Sequence, residues 1–546
     1  MGKTKQGPCQ LQTADVRKHN LTPHAASRAL RLALVVIALG LGASGLGSSG
    51  SGDAQFSFTL GPREDVLAVG AFGLCAIPDE HLGVLKIAGQ YHAWFAADRD
   101  DMWEGATFHM AGPSLESMEV EVDASGKAKP VLKAGGWHAG TDFSSVQGQS
   151  CWGYQEWTGS SYRDMRFDKK DNAWHGSKQL SLLGREWAHP DSDREPARKW
   201  VSPIAGTVTI SGNAHDADPG GGDGVVVSIL KGSTELWSKT IANGDTKGYD
   251  FDLQVPVQVG DAIYFRVAMR GDPGFDSTYF NPSISVAGTF DNGYAGFASV
   301  YLDKASDEIL AFYHAEDHEG VTASTLVGVP AYYASVGLAV SKDGGLTFEK
   351  MGQVLTSHKP KSPSSPDGAQ GVGGPSVIVD PSGQYLYMYF MDWTREAPWG
   401  DIGVARSRVE DGGRPGTWFK YYNGGFTEPG LGGRATLVVA GVQPGEWAAF
   451  PSVSFNSYLN QYLMVHVGAD GFYVRTSGDG IAWSLPTQLL ASATGFVGSG
   501  VSLYPTIIGE DDTHTGQENW LYYGFTPKAL TVECHHMVRQ RITFSH

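Results

Sequence analysis

Gly374-Pro375-Ser376-Val377-Ile378-Val379-Asp380 is followed by an apolar run from Tyr385 to Phe390, then by Gly403-Val404-Ala405-Arg406-Ser407. The order is strand, turn, strand, loop, strand, written in the β-branched and aromatic residues that pleated surfaces favour. It recurs. Phe450-Pro451-Ser452-Val453-Ser454-Phe455-Asn456 precedes Tyr462 to Val467 and Phe472 to Thr476, and Tyr504-Pro505-Thr506-Ile507-Ile508 precedes Trp520 to Tyr523 and a strand around Met537. Upstream, Phe297-Ala298-Ser299-Val300-Tyr301-Leu302-Asp303 precedes Ile309 to Tyr313 and Val336 to Ser341; the weakest copy is Ile77-Pro78-Asp79, Val84 to Ile87 and Tyr91 to Phe95. A repeat of this kind cannot bury its own faces and must stack on its neighbours. The pattern predicts an all-β fold, a five-bladed β-propeller. The copy after Tyr504 is one strand short, and the alternating segment Phe56 to Leu60 is expected to complete it. The competing arrangement is a set of unrelated strands in stacked sandwiches.

Between the first and second copies lies a different unit, 198–288, with Trp200-Val201-Ser202-Pro203, Gly206 to Ile210, Asp223 to Val227, Val259-Gly260-Asp261 and Tyr264 to Val267. Regular alternation with closely spaced turns predicts an inserted antiparallel β-sandwich. The chain therefore divides into 1–52, a leader and Ser/Gly linker; 53–197, the first blade with long loops; 198–288, the insert; and 289–546, the remaining blades. Residues 100–198 carry Trp103, Trp137, Trp152, Trp157, Trp174 and Trp187 without a readable strand pattern.

Composition narrows the function. The chain has 546 residues, 41 Lys and Arg against 58 Asp and Glu, and a formal charge of −17. That sign excludes nucleic acid and anionic membrane surfaces as expected partners. Hydrophobic residues at 41% exclude disorder, and the 72 glycines show no collagen period. At the N-terminus Lys3, Lys5, Arg17, Lys18, Arg28 and Arg31 precede the apolar run Leu30 to Leu46, which passes into small residues at Gly42-Ala43-Ser44-Gly45. This is the order of a cleaved secretory signal. The expected location is secreted or periplasmic, with cleavage between Ala43 and Ala54; the alternative is an uncleaved anchor. The apolar run falls short of the ~20 residues a spanning helix needs, which favours cleavage and no lasting membrane partner. Cys75, Cys151 and Cys534 follow the leader, too few for a disulfide framework or a spaced metal motif. Cys75 with Cys534 is the pairing that meeting chain ends would permit.

In a propeller, the starts of first strands and the ends of second strands share one face. Those positions hold Asp79, Asp98, Asp100, His314, Glu316, Asp317, His318, Asp392, Trp393, Arg395 and His466, and an inter-blade loop adds Glu428 and Arg434. Carboxylates converging from separate blades suit glycoside hydrolysis, which needs one protonated acid and one ionised base or nucleophile. Asp79, Glu316, Asp392 and Glu428 are the catalytic candidates; His314, Trp393, Arg434 and His466 are the substrate-binding candidates. Acids at strand ends are also commonly turn residues, and buried histidines commonly core residues. Ser341-Lys342-Asp343-Gly344-Gly345-Leu346-Thr347-Phe348 and the looser Ser477-Gly478-Asp479-Gly480-Ile481-Ala482-Trp483 read as structural turns in which an aspartate caps the backbone.

On the repeats at about 66–110 and 290–546 the chain resembles the five-bladed propeller glycoside hydrolases, the superfamily of arabinanases, β-xylosidases and fructosidases. The unit at 198–288 resembles β-sandwich modules appended to secreted polysaccharide-degrading enzymes, and a sugar-binding role and a spacer role both fit it. The resemblance implies Asp79 as base or nucleophile, Glu316 or Glu428 as acid and Asp392 as the residue that tunes it. Pro78 precedes Asp79 where the family order is Asp-Pro, and the Asn-Asp-Pro-Asn and Arg-Asp-Pro blocks of fructosidases are absent. The implied partner is a neutral poly- or oligosaccharide acted on by a monomer. No cofactor is required, and a structural calcium ion is compatible. Two rivals stand beside this reading: a non-catalytic sugar-binding propeller, and a sialidase-like enzyme, for which Arg395, Arg406, Arg434 and Arg475 would have to cluster.

Overall fold

The computed structural model describes residues 56–99, 102–123, 126–140, 142–286, 288–321, 331–363, 368–394, 401–439, 448–493, 500–527 and 535–546. Residues 1–55, Asp100, Arg395 and Cys534 lie outside them, and with them the expectations of signal cleavage and a Cys75–Cys534 bridge. Among the described residues the chain is all-β, with only short 3-10 segments at Ala71–Gly73, Gln149–Cys151 and Val409–Asp411 besides strands. No helix among them is long and apolar enough to cross a membrane.

Strand Glu308–Asp317 shows how the sequence builds the core. Ile309 to Ala315 is buried without a break, because successive side chains enter two different cores. Leu310 and Phe312 face one cluster, with Val377, Met388 and Phe390. Ile309, Ala311, Tyr313 and Ala315 face another, with Trp94, Val131 and Leu132. A strand covered on both faces reads as continuous apolar sequence rather than as alternation. Full burial of a side chain such as Phe312 contributes about 1.5–3 kcal/mol.

That strand belongs to the second of several antiparallel meanders. The first runs Gly83–Ile87, Gln90–Arg99, Met102–Gly112, Pro130–Lys133. The second runs Tyr294–Asp303, Glu308–Asp317, Tyr332–Ser341, Glu349–Leu355. The third runs Ala369–Val379, Tyr385–Asp392, Asp401–Arg408, Phe419–Tyr422. The fourth runs Ala449–Asn456, Gln461–Gly468, Gly471–Ser477, Thr487–Ala491. In the fifth, Ser502–Ile508, Glu518–Phe525 and His536–Ser545 are completed by Ser57–Leu60, with Ser57 opposite Ser545. First and second meanders share one core, second and third the next. Third and fourth share Ile378, Tyr389, Val453 and Met464; fourth and fifth share Val465, Phe472, Leu503 and Val538. The fifth returns to the first through Ile508, Tyr522, Val84 and Phe95. The cores thus follow one another round a closed cycle.

The repeated Pro-Ser/Thr of the sequence has a structural cause. Register shifts fall at Gly373/Ser376, Ala449/Ser452 and Leu503/Thr506, and Gly374, Phe450 and Tyr504 have φ of 57°, 52° and 57°. Each is a bulge, and the proline that follows removes an N–H that an unpaired bulge position would leave without a partner. The hydroxyl after the bulge reaches the neighbouring meander. Ser376 Oγ accepts from the Val453 N–H at 2.9 Å, and Thr506 Oγ1 accepts from the Leu82 N–H at 3.1 Å. In the second meander, Ser299 Oγ accepts from the Val377 N–H at 2.9 Å.

The segment between the first and second meanders forms two further sheets. One contains Trp152–Trp157, Glu195–Val201, Val225–Lys231, Thr234–Ile241 and Ala262–Met269; the other contains Trp137–His138, Ala173–His175, Leu182–Leu183, Trp187–His189, Gly206–Asp216 and Ser283–Val286. They enclose a separate core with Trp152, Trp200, Val208, Ile229, Phe265 and Ile284 at its centre. The strands of these two sheets begin at Trp137, ahead of residue 198. Strands within 137–197 pair with strands of 198–288, Trp152 opposite Trp200 and Trp137 opposite Ile284, and not with the first meander. The unit's two ends meet, since the Gly135 N–H donates to the Asp291 carbonyl at 2.8 Å.

Candidate functional site

The loop Pro78-Asp79-Glu80-His81 leads into the innermost strand of the first meander. Its backbone is pinned by the Asp79 N–H, which donates to the Ala96 carbonyl at 2.8 Å. The Tyr294 hydroxyl donates to the Asp79 carbonyl at 2.9 Å, and the Tyr504 hydroxyl donates to Asp79 Oδ1 at 3.1 Å. Glu80 is buried, and its Oε1 lies 3.1 Å from His314 Nδ1. From there the polar chain continues along one face of a strand, where residues two apart point the same way. His314 Nε2 is 3.3 Å from Glu316 Oε1, and His318 Nε2 is 2.7 Å from Glu316 Oε2.

Aromatic rings wall this chain. Tyr294, Tyr332 and Trp393 stand edge-on to His314, with centroids 5.6, 6.1 and 5.9 Å away, and Tyr332 stacks on His318 at 6.2 Å. The left-handed bulge residues Phe450 and Tyr504 bring their own rings together at 4.7 Å, with His81 beside Phe450. At the matching bulge of the third meander the chain has glycines. A Cβ on Gly373 would lie 2.7 Å from the His314 ring and 3.2 Å from Trp393, so the close approach of backbone to histidine excludes a side chain.

Charge is ordered by these contacts. Burial opposes the positive form of His314, but the Glu80 and Glu316 carboxylates outweigh it and raise its pKa to about 10. Burial likewise opposes the Glu316 anion, and the two histidines overcome it, holding the carboxyl at about 2. Burial first, and then the surrounding carboxylates, push the Tyr294, Tyr332 and Tyr504 hydroxyls well above their usual range, so they remain proton donors. Burial lowers His81, against the Glu80 charge and a Phe450 main-chain contact, and its Nδ1 and Glu80 Oε2 face each other at 3.8 Å, beyond ordinary hydrogen-bond length. Buried polar atoms of this kind ordinarily find a partner in protein, water or ligand.

The structure thus brings Asp79, His314, Glu316 and Trp393 together. It sets the other candidates apart. Asp392 turns away from its neighbour Trp393: its Oδ1 accepts the Thr394 N–H at 2.9 Å, and its charge acts on Tyr333, His358 and Lys420. Glu428 lies on Gly425–Pro429, the outer hairpin of the third meander, opposite Lys420, where Oε2 accepts the Arg434 N–H at 3.0 Å and closes a turn. His466 is a buried residue of the fourth meander, accepting from Arg475 Nε at 3.1 Å and lowered to about 4 by burial. Arg406 is sandwiched between Tyr385 and Phe426, and Arg475 also donates to the Ser484 carbonyl, so neither serves a carboxylate-binding cluster. Asp317 is engaged by Asn292 and Lys361. Asp343 and Asp479 cap their turns through the Leu346, Thr347, Ile481 and Ala482 N–H groups.

Glu80 and His81 escaped the sequence reading, which weighed only the aspartate beside them. Their signal was present: two acids and a histidine in succession, in a segment otherwise bordered by apolar residues.

No protein-family model matches the chain, and no curated protein matches it. Among solved structures it is similar to a protein of unknown function from Dyadobacter fermentans, with 12% identity, 88% of this chain and 98% of that one covered, and a TM-score of 0.35. The α-L-arabinofuranosidase of Podospora anserina in complex with cellotriose gives 8%, 90%, 97% and 0.35 in the same order. The catalytic domain of the GH62 α-L-arabinofuranosidase of Coprinopsis cinerea gives 9%, 89%, 97% and 0.36. Likenesses at this level assign no activity to this chain.

Proposed function

We propose that the protein is an exported glycoside hydrolase acting on a neutral poly- or oligosaccharide of the arabinan, xylan or fructan kind. In this reading the meanders are the blades of a five-bladed propeller interrupted by a sandwich. The observation that carries it is the aromatic-walled cluster of Asp79, Glu80 and Glu316 around His314. Sugars stack on rings and exchange hydroxyl hydrogen bonds with carboxylates and imidazoles, and this cluster sets both beside aromatic rings.

Asp79, oriented by Tyr504, attacks the anomeric carbon or activates water. Glu316 is an anion while both histidines hold it, and a general acid must carry a proton. Its acid role therefore requires a proton to pass to Glu316 from the imidazolium of His314 or His318 as the sugar takes over the contact with His318, whose side chain is 27% exposed and is the outermost member of the chain. The test is incubation of the purified chain with arabinan, xylan and fructan panels and their aryl glycosides, following reducing ends. Turnover lost in Asp79→Asn supports the reading. Saturable sugar binding without turnover would replace it with a non-catalytic binding protein.

A further inference from the structure

The strap that returns the chain from the inserted unit runs beside the outer end of the acid cluster. Its Asp291 is fixed to both neighbours. The carbonyl accepts the Gly135 N–H at 2.8 Å, and Oδ2 meets Lys350 Nζ at 2.5 Å and the Tyr313 hydroxyl at 3.1 Å, both from the second meander. The next residue, Asn292, is buried and reaches the turn that follows strand Glu308–Asp317. Its Oδ1 accepts the His318 N–H at 2.9 Å, and its Nδ2 donates to Asp317 Oδ1 at 2.6 Å. The Gly293 N–H then donates to the Glu316 carbonyl at 2.9 Å. Two residues of the strap thus hold Glu316, Asp317 and His318 in succession.

His318 stands one place beyond the strand, so its N–H has left the ladder and needs an acceptor from elsewhere. A carboxamide presents an acceptor and a donor side by side, which an N–H and a carboxylate on adjacent residues require. Asp317 is held from its other side by Lys361, 2.6 Å from Oδ2, so the turn cannot slide along the strap. A Cβ on Gly293 would lie 2.3 Å from the His318 ring, and the imidazole therefore rests on bare backbone, with Tyr332 stacked on it. From that seat His318 Nε2 meets Glu316 Oε2 at 2.7 Å.

We propose that Asn292 is a positioning residue, through which the strap from the inserted unit holds His318 against Glu316. On the glycoside hydrolase reading, which this deepens, a loosened His318 impairs proton delivery through Glu316 and spares attack by Asp79. Asn292→Ala should then slow aryl glycosides with poor leaving groups at least ~10-fold, and those with good leaving groups by less than about twofold. Misfolding would slow both alike. Asn292→Asp sets two carboxylates against each other and should do at least as much damage. Combining it with Asp317→Asn exchanges the two groups, restores both hydrogen bonds and should recover most of the lost rate. The His318 ring resonances, assigned by their loss in His318→Gln, need no sugar. They should shift in Asn292→Ala towards their place in Glu316→Gln, and return in the exchanged pair. A wild type that turns over no glycoside while these resonances shift as stated defeats the hydrolase reading and upholds the positioning. Should Asn292→Ala fail to fold, hydrogen exchange in the wild type decides, because the His318 amide should exchange as slowly as the ladder amides of Glu308–Asp317. Unmoved resonances in Asn292→Ala, an unchanged ratio of the two rates, an exchanged pair no better than Asn292→Asp, or a fast His318 amide each overturns the proposal.

Discussion

His314 Nδ1 stands 3.1 Å from Glu80 Oε1, joining the loop ahead of the first meander to the second strand of the second. The same nitrogen lies 3.1 Å from the Gly374 N–H of the third meander. A charged His314 donates to Glu80, whereas a neutral one can accept from Gly374. One imidazole thus ties three meanders together, and its protonation chooses between two partners.

That choice has a pH signature. His314 rises from 6.5 to about 10 on folding, so its contribution to stability is complete below 6.5 and is lost as pH climbs through 10. Glu316 falls from 4.5 to about 2, so its contribution is complete above 4.5 and is lost as pH drops through 2. The two titrate as a pair. Urea midpoints measured from pH 2 to 10 should peak between 4.5 and 6.5, and Glu316→Gln should flatten both limbs. A variant curve parallel to the wild type would contradict the pairing.

Amide substitutions separate the clustered acids from the outlying ones. Asp79→Asn should slow every glycoside by at least ~10²-fold, and Glu316→Gln should slow substrates with poor leaving groups most. Glu428→Gln, on the outer hairpin, should leave turnover within about twofold. Initial rates on aryl glycosides of graded leaving-group acidity give the comparison.

The hydroxyl that follows each bulge should be worth more than an ordinary surface contact. Ser376→Ala leaves the buried Val453 N–H without its acceptor, which costs about 1–3 kcal/mol. Chemical denaturation should show the loss as a lower midpoint with an unchanged slope.

Excision of the insert tests its boundary. Because the Gly135 N–H meets the Asp291 carbonyl, removing 137–288 and bridging the ends should leave a cooperatively melting ring. Removing only 198–288 would strand Trp152–Trp157 without Glu195–Val201's partner Ala262–Met269, and should yield an aggregating product. Calorimetry of the two deletions would decide.

The repeats were legible because the bulges of the third, fourth and fifth meanders wrote themselves into the sequence as Pro-Ser or Pro-Thr, and because doubly covered stretches such as Ile309 to Tyr313 are continuously apolar. The Phe56 to Leu60 segment was legible from alternation alone. Residues 137–197 were not. Their strands include pieces as short as Trp137–His138 and Leu182–Leu183, too brief for any period to show, and their partners lie far along the chain. In the cluster, His314, Glu316 and Trp393 come from strand ends, the places where the repeat pattern puts side chains on one face. Asp392 sits beside Trp393 but turns its carboxylate to the Thr394 N–H, an alternation the repeat does not reveal. Glu428 lies on an outer hairpin, and a Gly- and Pro-flanked acid looks the same in sequence whether it caps an outer turn or faces a pocket.

Ser57–Leu60 and His536–Ser545 are the first and last strands of the chain described here, and they pair with each other. A ribosome makes one of them several hundred residues before the other. The earlier strand must therefore wait, edge unpaired, until the later one has left the exit tunnel, and the cycle of cores cannot close before that. Such a chain has a built-in interval in which four meanders exist and the ring is still open. Whatever handles it then meets a molecule that has not yet committed to its final form.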